Sequence, residues 1–448
     1  MKIRSQSLRP LVAALVVAVF SGPALRAAAA PPPVPDQLDL KTAIGFALEN
    51  NFAIRQARER IRQQEGVVVQ VSSRDIPNVA ATGSYQRNSN DISQSFPASD
   101  RSWSINLSAS QTLYAGGGVR SSIKSSKLAR EAAMLDLQSV INDALLSVRV
   151  DFYNVLLARE KIKVQEQNLA LLKQQLKNVT DRYDAGTVSA FEKLRADVAV
   201  ANAQVPLITA RNDYRLAIEQ LRQALGFTTN TPENLRKIPD FIGSLDYVPA
   251  TFDLQAAFNA AHANRPDLQR LAKLQSASEE SVTTARSNYY PKVSLVGGWE
   301  LFKGPTNSFG DSIDGVYIGL QSQWNIFDGR STAGQVIQAR SQLEQARLSL
   351  TDAQLAAEVD VRSAYSSFQE ATELADASQK VVAEAEESVR LATARYDAGT
   401  ATQLDVLQAQ VDLTTARTNQ LQAFYTYNVA VASLRKAMGR ADDFVITN

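Results

Sequence analysis

The sequence predicts a mainly α-helical protein with a transmembrane β-barrel, built as a tandem repeat whose copies each supply two strands and a long helical hairpin. Three observations carry this. First, Arg182-Tyr183-Asp184-Ala185-Gly186-Thr187 recurs as Arg395-Tyr396-Asp397-Ala398-Gly399-Thr400, an offset of 213. Second, residues 119–185 and 335–398 contain neither Gly nor Pro. Third, each copy holds short segments in which apolar and polar residues alternate with period two.

An internal repeat is established before domains are counted, because it changes the fold class. The offset of 213 also aligns Leu113-Tyr114-Ala115-Gly116 with Ile326-Phe327-Asp328-Gly329, and Ala224-Leu225-Gly226 with Ala437-Met438-Gly439. An offset of 214 aligns Leu38-Asp39-Leu40 with Phe252-Asp253-Leu254, Asn50 with Asn264 and Pro77 with Pro291. One residue therefore slips between Pro77 and Leu113. The predicted organisation is a signal peptide over 1–29 and a first repeat over 30–226, with strands about 79–88 and 102–114 and a helical hairpin over 117–226. A linker over 227–251 leads to a second repeat over 252–439, with strands about 293–302 and 316–327 and a hairpin over 330–439; a tail over 440–448 follows.

The N-terminus reads as an export signal. Lys2, Arg4 and Arg9 precede an apolar run from Leu11 to Phe20, too short to span a bilayer, and Ala27-Ala28-Ala29 offers a cleavage site. Helical periodicity then covers Leu40 to Gln70 and Leu254 to Asn288, with Asp36 and Asp253 as N-cap candidates. Pro77 and Pro291 end these segments. Strands follow. In the first copy Trp103, Ile105, Leu107 and Ala109 alternate with serines and Asn106; in the second Ile318, Leu320 and Trp324 alternate with Gly319, Gln321 and Gln323. Polar loops are predicted near 89–101 and 302–314.

The Gly- and Pro-free runs come next. A helix of about 65 residues is roughly 100 Å long and must pack beside others. Each repeated hexapeptide ends such a helix, Gly186 and Gly399 fitting the left-handed position past a helix C-terminus. Ser189 with Glu192, and Thr402 with Asp405, have capping-box spacing and start the returning helices. Pro206 predicts a kink in the first of these.

Composition narrows the function. Lys and Arg number 47 against 46 Asp and Glu, so there is no basic excess for nucleic acid. There is no cysteine and one histidine, His262, read as an ordinary helix residue; this disfavours thiol, triad and multi-histidine metal chemistry, and neither a catalytic residue nor a cofactor or metal ligand is assigned. No run of eighteen apolar residues is present, so a membrane span has to be a barrel. All three tryptophans, Trp103, Trp299 and Trp324, fall in the predicted strands, where a barrel carries its aromatic girdles; strand preference alone is the competing explanation. Four strands cannot close a barrel, and open edges are not tolerated in lipid. Three identical chains bring twelve strands, with the helices forming a hollow cylinder below. The competing architecture is a trimeric envelope or surface stalk without a lumen.

The tandem repeat, Asn264-Arg265-Pro266-Asp267-Leu268, the Leu113-Tyr114-Ala115-Gly116-Gly117 strand exit and the hexapeptide followed by Leu404-Asp405-Val406-Leu407 together resemble the TolC-like family of outer-membrane efflux proteins. The resemblance covers nearly the whole chain after residue 29. It implies a homotrimeric exit duct in outer-membrane lipid, with an α-barrel in the periplasm, a periplasmic adaptor and an inner-membrane transporter as partners. It further implies that hairpin tips dock the adaptor, which singles out Tyr183, Gly186, Thr187, Tyr396, Gly399 and Thr400. The family narrows its entrance with acidic rings after the second tip. Asp405 falls on the first ring position, Gln408 stands where the second acid would be, Ala401 replaces a basic latch residue, and Glu192 is the first-copy equivalent of Asp405. Two readings stay open for Asp405, a selectivity ring or a helix cap, and two for the tip tyrosines, packing or gating.

Overall fold

The computed structural model describes residues 35–87, 89, 101–227, 237–304 and 308–440. The predicted signal peptide, most of the loop at 89–101, part of the linker and nearly all of the tail lie outside the described residues. A two-residue strand β1 (Gln37–Leu38) precedes helices α1 (Leu40–Asn50) and α2 (Phe52–Ser72). Strands β2 (Asn78–Arg87) and β3 (Arg101–Ala115) lead to α3 (Gly118–Asp184) and α4 (Ala190–Leu225). The second copy repeats this order after β4 (Asp240–Phe241): α5 (Leu254–Asn264), α6 (Pro266–Arg286), β5 (Lys292–Lys303), β6 (Ser312–Gln323), α7 (Ser331–Asp397) and α8 (Gln403–Ala437).

Three expectations are corrected. The N-cap of α1 is Asp39, whose carboxylate accepts from Thr42 N at 2.8 Å; Asp36 instead pairs with Lys237 at 2.6 Å. The helical segments are not continuous. Asn51 caps α2 through Ala53 N and Ile54 N, and Arg265 with Pro266 at the first helical position divides α5 from α6. The second strand of the second copy spans 312–323 rather than 316–327, so Trp324 lies just beyond it.

Glycine explains where the helices meet. Gly226 (φ +74°) and Gly439 (φ +68°) end α4 and α8 against the two breaks. A Cβ on Gly226 would stand 2.4 Å from Asn50 O, and one on Gly439 2.7 Å from Arg265 N. Asn51 Nδ2 also donates to Ala224 O at 2.7 Å. Thus α4 stacks end to end on α2, and α8 on α6. The long helices lie alongside: α3 packs against α2 and α4 in its own repeat and against α6 and α8 in the other, and α7 packs against α6 and α8. At 1.5 Å per residue each 67-residue helix is about 100 Å long.

Each repeat has its own core where these elements converge. The first holds Ala47, Val148, Phe152, Val155, Leu156 and Leu221; the second holds Ala261, Val361, Phe368, Tyr427 and Leu434. Val148, Val155 and Leu221 are the repeat equivalents of Val361, Phe368 and Leu434. The parallel pair β1–β4 draws the linker onto the first core through Leu38 and Phe241.

The four long strands form one antiparallel sheet in the order β2-β3-β5-β6. Both hairpins have the same register: Asn78 faces Ser110 and Lys292 faces Gln323, positions 214 and 213 apart. The one-residue slip in the sequence therefore falls within the strand hairpin. No helix among the described residues is long and apolar enough to cross a membrane.

Candidate functional site: paired hairpin tips and an acidic groove

The hexapeptide builds the same turn twice. Thr187 N donates to Arg182 O at 2.9 Å and Gly186 N to Tyr183 O at 2.9 Å; Thr400 N donates to Arg395 O at 2.9 Å and Gly399 N to Tyr396 O at 3.0 Å. This is the Schellman pattern of crossed bonds over a left-handed residue, with Gly186 and Gly399 both at φ +73°. The threonine hydroxyls add a second bond to the same arginine carbonyls, at 2.8 and 3.1 Å. The arginine, tyrosine, glycine and threonine of each hexapeptide thus have a local role, and neither glycine has a heavy neighbour within 4 Å of a notional Cβ.

The two tips touch through residues far apart in sequence. Arg182 of the first reaches Asp397 of the second at 3.2 Å. Its guanidinium also lies over the Tyr396 ring, 5.0 Å from the centroid, where the ring's negative face attracts it. The Tyr396 hydroxyl is buried there without a hydrogen-bond partner. Tyr183 is placed differently: it is 39% exposed, with Lys193 Nζ 5.1 Å from its centroid. The equivalent tyrosines therefore have unequal surroundings, packing between tips for one and exposure for the other.

The returning helices also start differently. Thr402 and Asp405 form a complete capping box. Thr402 N and Oγ1 donate to Asp405 Oδ2 at 2.7 and 2.8 Å, and Asp405 N donates to Thr402 Oγ1 at 3.4 Å. At the first tip Ser189 Oγ accepts from Glu192 N at 3.3 Å, and no reciprocal Glu192 bond is present among the described contacts. The Thr402 backbone N–H, then its hydroxyl, hold the Asp405 carboxyl below its usual range, with a smaller contribution from Arg395. Asp405 is fully solvated and charged at neutral pH.

One open groove between α7 and α8 collects Glu384, Glu387, Arg395, Asp405, Gln408 and Asp412. Gln408 Nε2 donates to Asp412 Oδ1 at 2.9 Å, so an acid lies one turn beyond the amide. Sequence reading passed over Asp412, though its i+7 spacing from Asp405 was visible. Arg182 and Asp397 were also missed as a pair, being 215 residues apart. His262 lies on α5, 3.4 Å from Glu358, and no group of metal-binding side chains occurs among the described residues.

At the far end of the molecule the three tryptophans spread along the sheet. Trp103 pairs with Tyr85 and donates to Phe309 O at 3.2 Å; Trp299 faces Leu107 and Val316, with Nε1 3.4 Å from Asp314 Oδ2. Both lie toward the loop end of the sheet, Trp103 four residues beyond the level of Trp299. Trp324 lies at the helical end and donates to Tyr289 O at 3.1 Å. Eight residues separate Val316 from Trp324, about 26 Å of strand.

Comparison with known proteins gives consistent matches. The family model described as outer membrane efflux protein matches residues 43–227 and 257–440, one segment in each repeat. The outer membrane efflux protein BepC of Brucella suis biovar 1 is 24% identical over 413 residues, covering 90% of this chain and 85% of its own. The cobalt-zinc-cadmium resistance protein CzcC of Cupriavidus metallidurans is 26% identical over 412 residues, covering 90% of each. Crystal structures of CusC, described as forming a transmembrane channel, superpose with a TM-score of 0.76 at 19% identity, over 92% of this chain and 98% of that one.

Proposed function

The chain belongs to the outer membrane efflux protein family, and on that premise we propose that three copies form the exit duct of a tripartite export system. It is an outer-membrane channel protein with its helices in the periplasm, and its relatives are channels rather than enzymes. The finer reading is a twelve-stranded barrel opening into an α-barrel. A periplasmic adaptor engages the hairpin tips and an inner-membrane transporter drives the substrate.

One observation carries this reading: every layer of the single chain ends at two open sides. The sheet stops at β2 and β6. Beneath it, α7 leaves Ile337, Leu348, Leu355 and Val359 about 60% exposed, while α4 leaves Phe191, Leu194, Val205 and Ile208 more than 60% exposed. Unpaired strand edges are not tolerated in the bilayer, and apolar stripes of this length call for a partner helix. A ring of copies covers both at once, because the open sides lie on opposite flanks of the same wall.

Within the ring, Trp299 belongs to one interfacial belt and Trp324 to the other; the roughly 26 Å of strand between them suits a barrel's apolar band of about 25 Å, and Trp103 stands about 13 Å beyond Trp299 toward the loops. Three-fold symmetry turns Asp405 into a ring of carboxylates at the entrance, with Gln408 supplying amides beside it. The capping role and the ring are compatible, because the box uses Oδ2 alone. Glu192, without the reciprocal bond, stands at the equivalent place on the other hairpin.

Single-particle imaging of detergent-extracted protein tests the reading. Three-fold cylinders about 130–150 Å long, from roughly 100 Å of helix and 30–40 Å of barrel, are expected. Monomers, or rods without a lumen, refute it.

A further inference from the structure

Within one chain the two repeats meet along β3 and β5, and on β3 this seam runs further toward the helices than the β2–β3 hairpin does. β3 last pairs with β2 at Ser110, opposite Asn78. It nevertheless continues as strand to Ala115, because β5 pairs with it from Gln111 onward, past an irregularity at Leu113, to Ala115 opposite Lys292. In the second repeat β6 stops at Gln323, the equivalent of Ser110, where it last pairs with β5. The next five residues, Trp324 to Asp328, are the equivalents of Gln111 to Ala115. They have no strand partner among the described residues, and Ile326 and Phe327 are 83% and 86% exposed. The difference between β3 and β6 therefore coincides with the presence of a neighbouring strand on one and its absence on the other.

We infer that a second copy supplies that neighbour in the register of the internal seam, so that Trp324 to Asp328 becomes strand only on assembly. The inference rests on the oligomeric duct proposed above and fixes which residues meet. Leu107 faces Trp299 inside the chain; shifting by the repeat offsets places Leu320 opposite the partner subunit's Tyr85. Tyr114 faces Val293, which places Phe327 opposite the partner subunit's Val79, with the irregularity moved to Ile326. Gln111 faces Leu295, which places Trp324 opposite the partner subunit's Ala81.

The side chains support this register. Successive strand residues point to opposite faces, so a one-residue slip exchanges the faces. In the inferred register the set Val316, Ile318, Leu320 and Trp324 shares a face with Ala81, Gly83 and Tyr85 of the partner subunit. A slip by one sets Leu320 against the partner subunit's Ser84 or Gln86 and brings polar side chains into the apolar row. A slip by two keeps the faces but misplaces the irregularity that lets the strand leave the sheet toward α7.

The chain has no cysteine, so engineered pairs report without background. The full-length protein is expressed with Leu320→Cys combined in turn with Gly83→Cys, Tyr85→Cys or Arg87→Cys, and oxidised mildly in outer membranes. Phe327→Cys with Val79→Cys samples the new strand segment. Native mass in detergent is measured in parallel on all variants. The Leu320–Tyr85 pair is expected to form covalent multimers roughly tenfold faster than either displaced pair, since Cα atoms more than about 7 Å apart do not bridge. Phe327–Val79 is expected to cross-link too. Faster linkage through Gly83 or Arg87 overturns the register while leaving the oligomer intact, and so does an oligomer in which no pair links. Linkage at Leu320–Tyr85 without Phe327–Val79 overturns the assembly-ordered segment. A monomeric native mass rejects the duct itself.

Discussion

Four glycines with nearly the same backbone angle separate conformational strain from packing. Gly186 and Gly399 have φ +73°, Gly226 +74° and Gly439 +68°. Alanine at any of them adopts the left-handed region at about 1–2 kcal/mol. At Gly186 and Gly399 that is the whole cost, because a Cβ meets nothing within 4 Å. At Gly226 the Cβ would stand 2.4 Å from Asn50 O and 2.8 Å from Asn50 C, and at Gly439 2.7 Å from Arg265 N and 2.8 Å from Asn264 C. These are backbone atoms at helix junctions and cannot swing aside. Overpacking then adds about 1–3 kcal/mol, giving about 2–5 kcal/mol for Gly226→Ala and Gly439→Ala. The assay is loss of helical circular dichroism on heating in detergent, at one protomer concentration because oligomer stability depends on it. The expected order places the two junction variants well below the two tip variants. Equal midpoints for Gly186→Ala and Gly226→Ala would refute the end-to-end stacking of α4 on α2.

Other perturbations follow from the same contacts. Arg265 makes bonds of 2.7 and 3.1 Å to Asp267 and one of 3.1 Å to Asp360. Arg265→Ala is expected to cost about 1–3 kcal/mol, and Arg265→Lys to recover only part, since lysine lacks the fork; equal melts for all three would contradict this. Arg182→Ala removes an exposed ion pair and a ring contact worth together no more than about 2 kcal/mol, so global stability should hold while Tyr396 becomes accessible to nitration. Unchanged nitration would show that Arg182 does not shield the ring. Asp405→Asn is expected to weaken cation selectivity in planar bilayers, and unchanged reversal potentials in a salt gradient would remove Asp405 from the pore. The Asp405 carboxyl lies below its ordinary value of 3.8 in the folded chain. Its cap therefore contributes above that value and is lost as pH falls through the depressed one. The protection of the Thr402 amide, measured against its intrinsic exchange rate at each pH, should fall in that acid window in the parent and stay flat there in Asp405→Asn.

Periodicity and repetition made much of the fold legible, and the failures have identifiable causes. The repeat offsets reappear in the strand registers because a register is a spacing, and spacing is what sequence alignment measures. The break at Asn51 was hidden, since asparagine is tolerated within a helix, whereas Pro266 announces its counterpart at Arg265. Carrying that break back by 214 residues would have located it. Asp36 and Asp39 both precede the apolar run, but the 214 offset aligns Asp39, not Asp36, with the cap Asp253, and the bond from Thr42 N agrees with that alignment. Trp324 continues the alternation of its strand, but alternation says which face a residue takes and not whether a neighbour is present. The contacts between tips were out of reach of local rules, because Arg182 meets residues more than 210 positions away only after both hairpins have formed.

The identical hexapeptides cannot themselves distinguish the two tips. Every residue from Arg182 to Thr187 makes the same backbone bonds as its equivalent from Arg395 to Thr400. What differs begins with the next residue: Val188-Ser189 against Ala401-Thr402, then Glu192 against Asp405, Arg195 against Gln408 and Ala199 against Asp412. The first tip makes half a capping box and the second a whole one. The turn is thus held constant while the opening of the returning helix varies. A selective entrance would accordingly be encoded in residues 401–412. Exchanging residues 401–412 with 188–199 should then move cation selectivity while leaving both turns folded. Exchanging only the hexapeptides leaves the sequence unchanged and can alter nothing, so any difference between the tips is carried by residues outside them.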